Sequence, residues 1–187
     1  MIKIESKRRK LEKLAAENPG AVIIDVTSHA QDEFIRLSPF YPNGGIPVPF
    51  MEGVYSESVE GIWQGLKVFE KYFTDPVEFK AYGIDPSKFK ITKMKNLKRT
   101  CKKFGWLRGH KKGDGYIPYI QARKEIYVPT YFWMLEHRCA DLVDKLRSLS
   151  NEKTVILLDY DTNPDIEDYK KPLSHASLIK RYIEEHP

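Results

Sequence analysis

The sequence is poor in the features that mark secreted, metal-binding and membrane proteins. Its 187 residues include only two cysteines, Cys101 and Cys139, whose spacing fits neither a metal site nor a disulfide framework. The five histidines show no ligand spacing either, so no metal site is predicted. No apolar run approaches the length of a membrane span, and no signal peptide opens the chain. We therefore expect a cytoplasmic protein with free thiols and no membrane partner.

Acidic residues are missing from one long interval. No Asp or Glu lies between Lys88 and Lys112, although the whole chain carries 26 acidic residues and a net charge of +5. We call residues 88–112 the basic interval. Its cations are Lys88, Lys90, Lys93, Lys95, Lys98, Arg99, Lys102, Lys103, Arg108, Lys111 and Lys112. Such an interval either binds anions, phosphates and nucleic acid among them, or forms an ordinary solvated surface.

The remaining composition is that of a folded globular chain. Hydrophobic residues make up 41% and charged residues 30%, which is enough for one domain with a sizeable core. Hydrophobic periodicity and the positions of Pro and Gly predict a single domain over residues 1–187. Its expected fold is α+β, mostly helical with a small β-sheet. The predicted strands cover residues 21–26 and 155–158. The predicted helices cover residues 3–17 (a basic amphipathic helix), 32–36, 55–73, 75–82, 128–149 and 174–183.

One predicted helix carries a line of polar groups. Glu60, Gln64 and Lys67 are spaced i, i+4, i+7 and share one helix face, beside a core face that includes Trp63. The line is either a solvated surface or the wall of a cleft. By the same reasoning, Trp63 is either a core residue or a stacking surface for a ligand.

Two other segments hold candidate functional residues. Residues 38–49 form a loop rich in Pro, Gly and aromatics, in which Phe40 and Tyr41 either bind a ligand or pin the loop. Asp159 and Asp161 follow the second predicted strand. Carboxylates at strand ends are either catalytic acids or ordinary turn residues.

Two motifs in these segments resemble the YbiA-like or NADAR family. The first match consists of Ser38, Phe40, Tyr41 and Pro42, and the second of Ser58, Val59, Glu60, Trp63, Gln64 and Lys67. The chain departs from the family pattern at Pro39, Gly61 and Gly65, and the closing family motifs are absent. The resemblance implies a mostly helical α+β fold and N-glycosidase activity on ribosylated bases or ADP-ribose conjugates. It also implies that Glu60 is the catalytic glutamate.

The sequence thus leads to an enzyme hypothesis and a rival. In the first, the chain hydrolyses a base–ribose bond in a phosphorylated nucleoside, a modified nucleotide or an ADP-ribose conjugate, with neither a metal nor an organic cofactor. Glu60 would act as general base or cation stabiliser, with Asp159 or Asp161 in support. The remaining predicted ligand contacts are Phe40, Tyr41, Trp63, Gln64, Lys67, Lys98 and Arg99. In the rival, the chain is a non-catalytic module that binds a nucleotide, ADP-ribose or nucleic acid.

Overall fold

The computed structural model describes residues 1–69 and 107–186. The chain divides into two compact units. Unit 1 comprises Met1–Tyr41 and Tyr131–Pro187, and unit 2 comprises Pro42–Thr130. Helices and small sheets occur in both units, so the expected mixture of α and β structure is confirmed.

Unit 1 contains a three-stranded parallel sheet made from both ends of the chain. Its strands are β1 (Ile2–Ser6), β2 (Val22–Asp25) and the last strand in the chain, β8 (Val155–Asp159). β8 lies in the centre and is buried along its whole length, with β1 and β2 on either side. A fully buried central strand explains the unbroken apolar run of Val155 to Leu158. All three strands end at the same edge, which places Asp25 and Asp159 there.

Helices cover the core of this unit. They are α1 (Leu11–Glu17), a 3₁₀ turn (Glu33–Leu37), α5 (Ala140–Glu152) and α6 (His175–Glu185), and α4 (Val128–Arg138) enters from unit 2. α6 packs on β1 and β8, and α5 packs on α6 and β8. Ser174 caps α6 by accepting a hydrogen bond from the Ser177 N–H, as its position before an apolar periodic run predicts.

Unit 2 contains short antiparallel sheets and the helix with the polar line. β3 (Ile46–Pro47) pairs with β4 (Tyr55–Ser56). β5 (Lys67–Phe69), β6 (Leu107–Lys112) and β7 (Gly115–Ile117) form a three-stranded sheet, with the turn at Gly113 in the left-handed region. The helical segments are α2 (Val59–Gly65), α3 (Tyr119–Ala122) and a π-helical turn (Arg123–Tyr127) that leads into α4.

Three predicted helices are wrong in extent. The predicted helix 3–17 consists of strand β1 and the shorter helix α1, because Ile2 and Ile4 alternate with charged residues at the two-residue period of a strand. Of the predicted helix 55–73, the structure describes residues 55–69, and among these only α2 is an α-helix. After Gly65, the β-branched and aromatic residues of β5 pair with β6 instead.

The third error is the predicted helix 128–149, which consists of two helices separated at Cys139, where the backbone is not helical. The predicted helix 75–82 lies outside the described residues. None of the helices in residues 1–69 and 107–186 has the length and apolar character needed to cross a bilayer.

Candidate functional site

Helix α2 holds the polar line in a fixed position. The Ser58 hydroxyl accepts a hydrogen bond of 3.0 Å from the Gly61 N–H and so caps the helix. Val59 and Ile62 are buried on one side of α2. The anchored apolar face leaves the side bearing Glu60 and Gln64 partly exposed.

The three polar residues form a hydrogen-bonded chain, as their spacing predicts. The Lys67 ammonium donates to Gln64 Oε1 over 2.6 Å, and Gln64 Nε2 donates to Glu60 Oε1 over 2.5 Å. The amide of Gln64 thus joins a cation to a carboxylate and fixes the rotamers of both. All three side chains are half-buried, where such bonds are stronger than on an open surface. A positioned carboxylate of this kind can activate water or stabilise a developing cation.

Flat rings adjoin this chain. The Trp63 indole stacks on the His110 imidazole, with ring centroids 3.9 Å apart and an angle of 28° between the planes. Tyr119 and Tyr127 meet Trp63 edge-on, at centroid distances of 5.6 and 5.3 Å. We call Trp63, His110, Tyr119 and Tyr127 the ring cluster. Groups of this kind bind planar heterocycles, and they also occur in ordinary cores.

Burial of the His110 ring costs free energy that a role in packing alone does not explain. It is fully buried, and within the part of the chain that the structure describes neither ring nitrogen has a hydrogen-bond partner. Burial, together with the nearby Lys67 charge, lowers the pKa of His110 to about 3, against a smaller opposite effect of the Trp63 backbone. The ring is therefore neutral at physiological pH. Leaving a buried polar group without a partner costs about 1–3 kcal/mol, so a native ring of this kind calls for an explanation.

A buried arginine lies beside the same rings. Arg123 is 1% exposed, and its Nη2 donates a hydrogen bond of 3.0 Å to the Tyr119 hydroxyl. Its guanidinium carbon also lies 4.7 Å from the centroid of the Tyr119 ring, within cation–π range. Arg123 opens the π-helical turn, a local widening of the helix that is common at functional sites. Unit 2 thus places Lys67 and Arg123 beside one group of aromatic rings, and Gln64 joins Lys67 to the Glu60 carboxylate.

Unit 1 has a polar cluster of a different kind at the carboxyl end of its sheet. The buried Asp159 Oδ2 accepts hydrogen bonds from the Ser174 hydroxyl at 2.8 Å and the Ala176 N–H at 3.2 Å, and it lies 3.0 Å from His175 Nδ1. Burial alone would raise the pKa of Asp159, but His175, Ser174 and the Ala176 N–H together lower it. On the other side of the ring, His175 Nε2 lies 2.8 Å from the Val26 carbonyl oxygen. The Asp159 carboxylate and both nitrogens of the His175 ring therefore already have partners within the fold of unit 1.

A known protein family matches most of this sequence. Residues 6–179 match the family of unknown function DUF6939. The chain belongs to this family. No curated protein and no solved structure matches it.

The predicted site residues of this DUF6939 chain divide between its units. Glu60, Trp63, Gln64 and Lys67 lie together in unit 2. Phe40 and Tyr41 end the first chain segment of unit 1, in a turn where the Tyr41 N–H donates to the Ser38 carbonyl. Asp159 and Asp161 also belong to unit 1: Asp159 is buried in its cluster, and Asp161 is partly exposed. Lys98 and Arg99 lie outside the described residues.

Sequence reasoning missed His110, Arg123 and His175. A signal for the second was available, because Tyr119, Arg123 and Tyr127 recur every four residues, the spacing of one helix face. His110 and His175 have no such signal, since their neighbours lie far away in sequence. The described parts of the DUF6939 chain hold no group of three or more His, Cys, Asp or Glu side chains that could bind a metal.

Proposed function

We propose that the chain is an N-glycosidase that hydrolyses the base–ribose bond of a phosphorylated nucleoside, a modified nucleotide or an ADP-ribose conjugate. The observation that carries this proposal is the hydrogen-bonded chain of Glu60, Gln64 and Lys67 beside the ring cluster. These are the parts that such a reaction needs: a carboxylate, a cation and flat rings. The proposal uses unit 2 alone.

Cleavage of an N-glycosidic bond builds positive charge at the anomeric carbon as the electron pair leaves with the base. The Glu60 carboxylate stabilises this charge and accepts a proton from the attacking water. Gln64 holds the carboxylate in place, and Lys67 supplies positive charge for a phosphate or for the ribose hydroxyls. Aromatic rings bind the base by stacking.

The resemblance to the YbiA-like or NADAR family supports the same assignment. The motif that carries it contains all three polar residues of the chain in α2, and the Ser58 of that motif caps the helix. We therefore propose that the DUF6939 chain is a divergent relative with a related fold. The departures at Gly61 and Gly65 lie on the buried side of α2, away from the polar line.

The test is release of free base from a panel of nucleotides and ADP-ribose conjugates, followed by chromatography. The variant Glu60→Gln keeps the side-chain shape but removes the carboxylate, so turnover is expected to fall by about 10²–10⁴-fold while binding persists. Glu52→Gln is the matched control, since Glu52 is an exposed glutamate of the same unit. Full activity of the Glu60 variant would contradict the assignment. Binding without base release by the unaltered chain would instead favour a non-catalytic module.

A further inference from the structure

His110 has a side chain that its position does not require. The residue lies in the middle strand of the sheet β5–β6–β7, paired with Lys67 on one side and Ile117 on the other. Backbone pairing alone would be served by any strand-forming residue. A phenylalanine would stack on Trp63 equally well and would bring no buried nitrogens.

Both nitrogens have chemistry to offer. A neutral imidazole has one N–H donor and one lone-pair acceptor, on opposite edges of the ring. Among the described residues no group makes a hydrogen bond of normal geometry to either nitrogen, and the Trp63 backbone acts on the ring only through its small effect on the pKa. The ring face is taken by the Trp63 indole, so any partner must approach an edge.

The charge beside His110 indicates which class of ligand it can bind. Lys67 faces His110 across the β5–β6 pairing, and its charge opposes protonation of the ring. An uncharged ring next to a lysine suits a neutral heterocycle. Purines, pyrimidines and nicotinamide all carry hydrogen-bond donors and acceptors on a planar edge.

We propose that His110 is the residue that recognises the base of the ligand, by a hydrogen bond between one of its ring nitrogens and the edge of a neutral, planar heterocycle. This inference rests on the proposed function, since it assigns the base-recognising group of that same site. Because the His110 ring is fully buried, binding requires a neighbouring side chain to move away from the ring edge.

The direct experiment records the ring ¹⁵N resonances of His110 in the full chain during titration with adenine, nicotinamide and ribose 5-phosphate. At least one of the two bases should shift the resonance of one His110 ring nitrogen, whereas ribose 5-phosphate should leave both in place. Unchanged His110 nitrogens with both bases would overturn the proposal. This measurement needs no variant and no turnover.

Substitution then separates recognition from packing. His110→Phe removes the buried nitrogens, so Tm should rise by about 2–4 °C while affinity for the base falls about tenfold or more. His110→Gln keeps a donor and an acceptor and should retain more affinity than the Phe variant. The matched control is His137→Phe, because His137 also stacks on a tryptophan, Trp133, but is exposed. Undiminished base binding by His110→Phe would show that the ring only packs.

The two proposals can fail separately. Shifts at His110 without base release from any nucleotide would leave base recognition intact and remove the N-glycosidase. Base release with silent His110 resonances would do the opposite.

Discussion

At the scale of single residues, carboxylate and imidazole groups occur in both units but in different surroundings. The carboxylate of Asp159 has donors on several sides and joins β8 to the start of α6. Its neighbour His175 faces a carbonyl oxygen at one nitrogen and this carboxylate at the other. Both are acceptors, so a ring with a proton on each nitrogen satisfies both contacts and pairs with the Asp159 carboxylate. The pair fixes three elements of unit 1, β8, α6 and the end of β2.

This arrangement predicts how stability depends on pH. Because the folded state lowers the pKa of Asp159 from its usual value of about 3.9, the carboxylate stabilises the fold above that value. That contribution is lost as the pH falls through the lower folded pKa. Asp159→Asn removes the charge, so the free energy of unfolding should fall by about 3 kcal/mol at pH 7, at the low end for a broken buried pair.

Urea denaturation at pH 7 and at acid pH checks this prediction. The difference between Asp159→Asn and the unaltered chain should shrink towards acid pH. Asp161→Asn is the control, because Asp161 is a partly exposed aspartate two residues away. Equal losses of stability for the two variants would contradict the role given to the buried pair.

At the scale of elements, the hairpin of β6 and β7 depends on a glycine for close approach. A Cβ on Gly109 would lie 2.3 Å from the Ile117 carbonyl oxygen and 2.8 Å from Tyr116 Cδ2. The first of these atoms is backbone and cannot rotate away. Gly109→Ala should therefore destabilise the sheet that carries His110, by about 1–3 kcal/mol, the range for an overpacked core.

A thermal melt together with amide hydrogen exchange of residues 107–117 measures this effect. Gly115→Ala provides the comparison, because a Cβ there would meet only the Lys112 carbonyl oxygen, at 3.9 Å. We expect near-native exchange in the Gly115 variant and faster exchange in the Gly109 variant. Similar behaviour of both would show that the close approach does not limit the hairpin.

The elements also show which parts of this fold can be read from sequence. Features that depend on neighbours within four residues carry a local signal, and the caps Ser58 and Ser174, the turn at Gly113 and the apolar run of β8 are of this kind. Strand β1 was missed because its partner, β8, lies some 150 residues away and the local charges also suit a helix.

The residues of the candidate site also differ in whether a local sequence pattern predicts them. The chain of Glu60, Gln64 and Lys67 follows from helical spacing, although Lys67 itself opens a strand. His110 joins Trp63 only through the pairing of β5 with β6, so no local pattern marks it. Contacts made by sheet pairing across a long sequence separation leave no periodic signal in a single sequence.

At the scale of the whole molecule, charge is unevenly distributed along the chain. The net charge is +5, yet the basic interval contains no acid. The acids near the C-terminus include Asp159, Asp161, Asp165, Glu167 and Asp168. A cationic segment of this kind raises the local concentration of anionic ligands and makes their binding depend on salt.

The final prediction concerns four residues of the basic interval, Lys98, Arg99, Lys102 and Lys103, which lie outside the described residues. Reversing their charges should weaken binding of ADP-ribose and reduce its dependence on salt, because fewer cations attract the phosphates. Binding of uncharged adenine should be unaffected. Isothermal titration at several salt concentrations measures both ligands.

The control for this variant must change the net charge equally. Reversal of the exposed Lys10, Lys13, Lys153 and Lys170 does so, and all four lie in unit 1, outside the basic interval. If general attraction by the whole molecule governs binding, both variants should lose ADP-ribose affinity to the same degree. A larger loss in the basic-interval variant is the expected result, since phosphates respond to charges within about 10 Å at 0.1 M salt. An unchanged salt dependence in that variant would show that the ligand binds beyond this range of the interval.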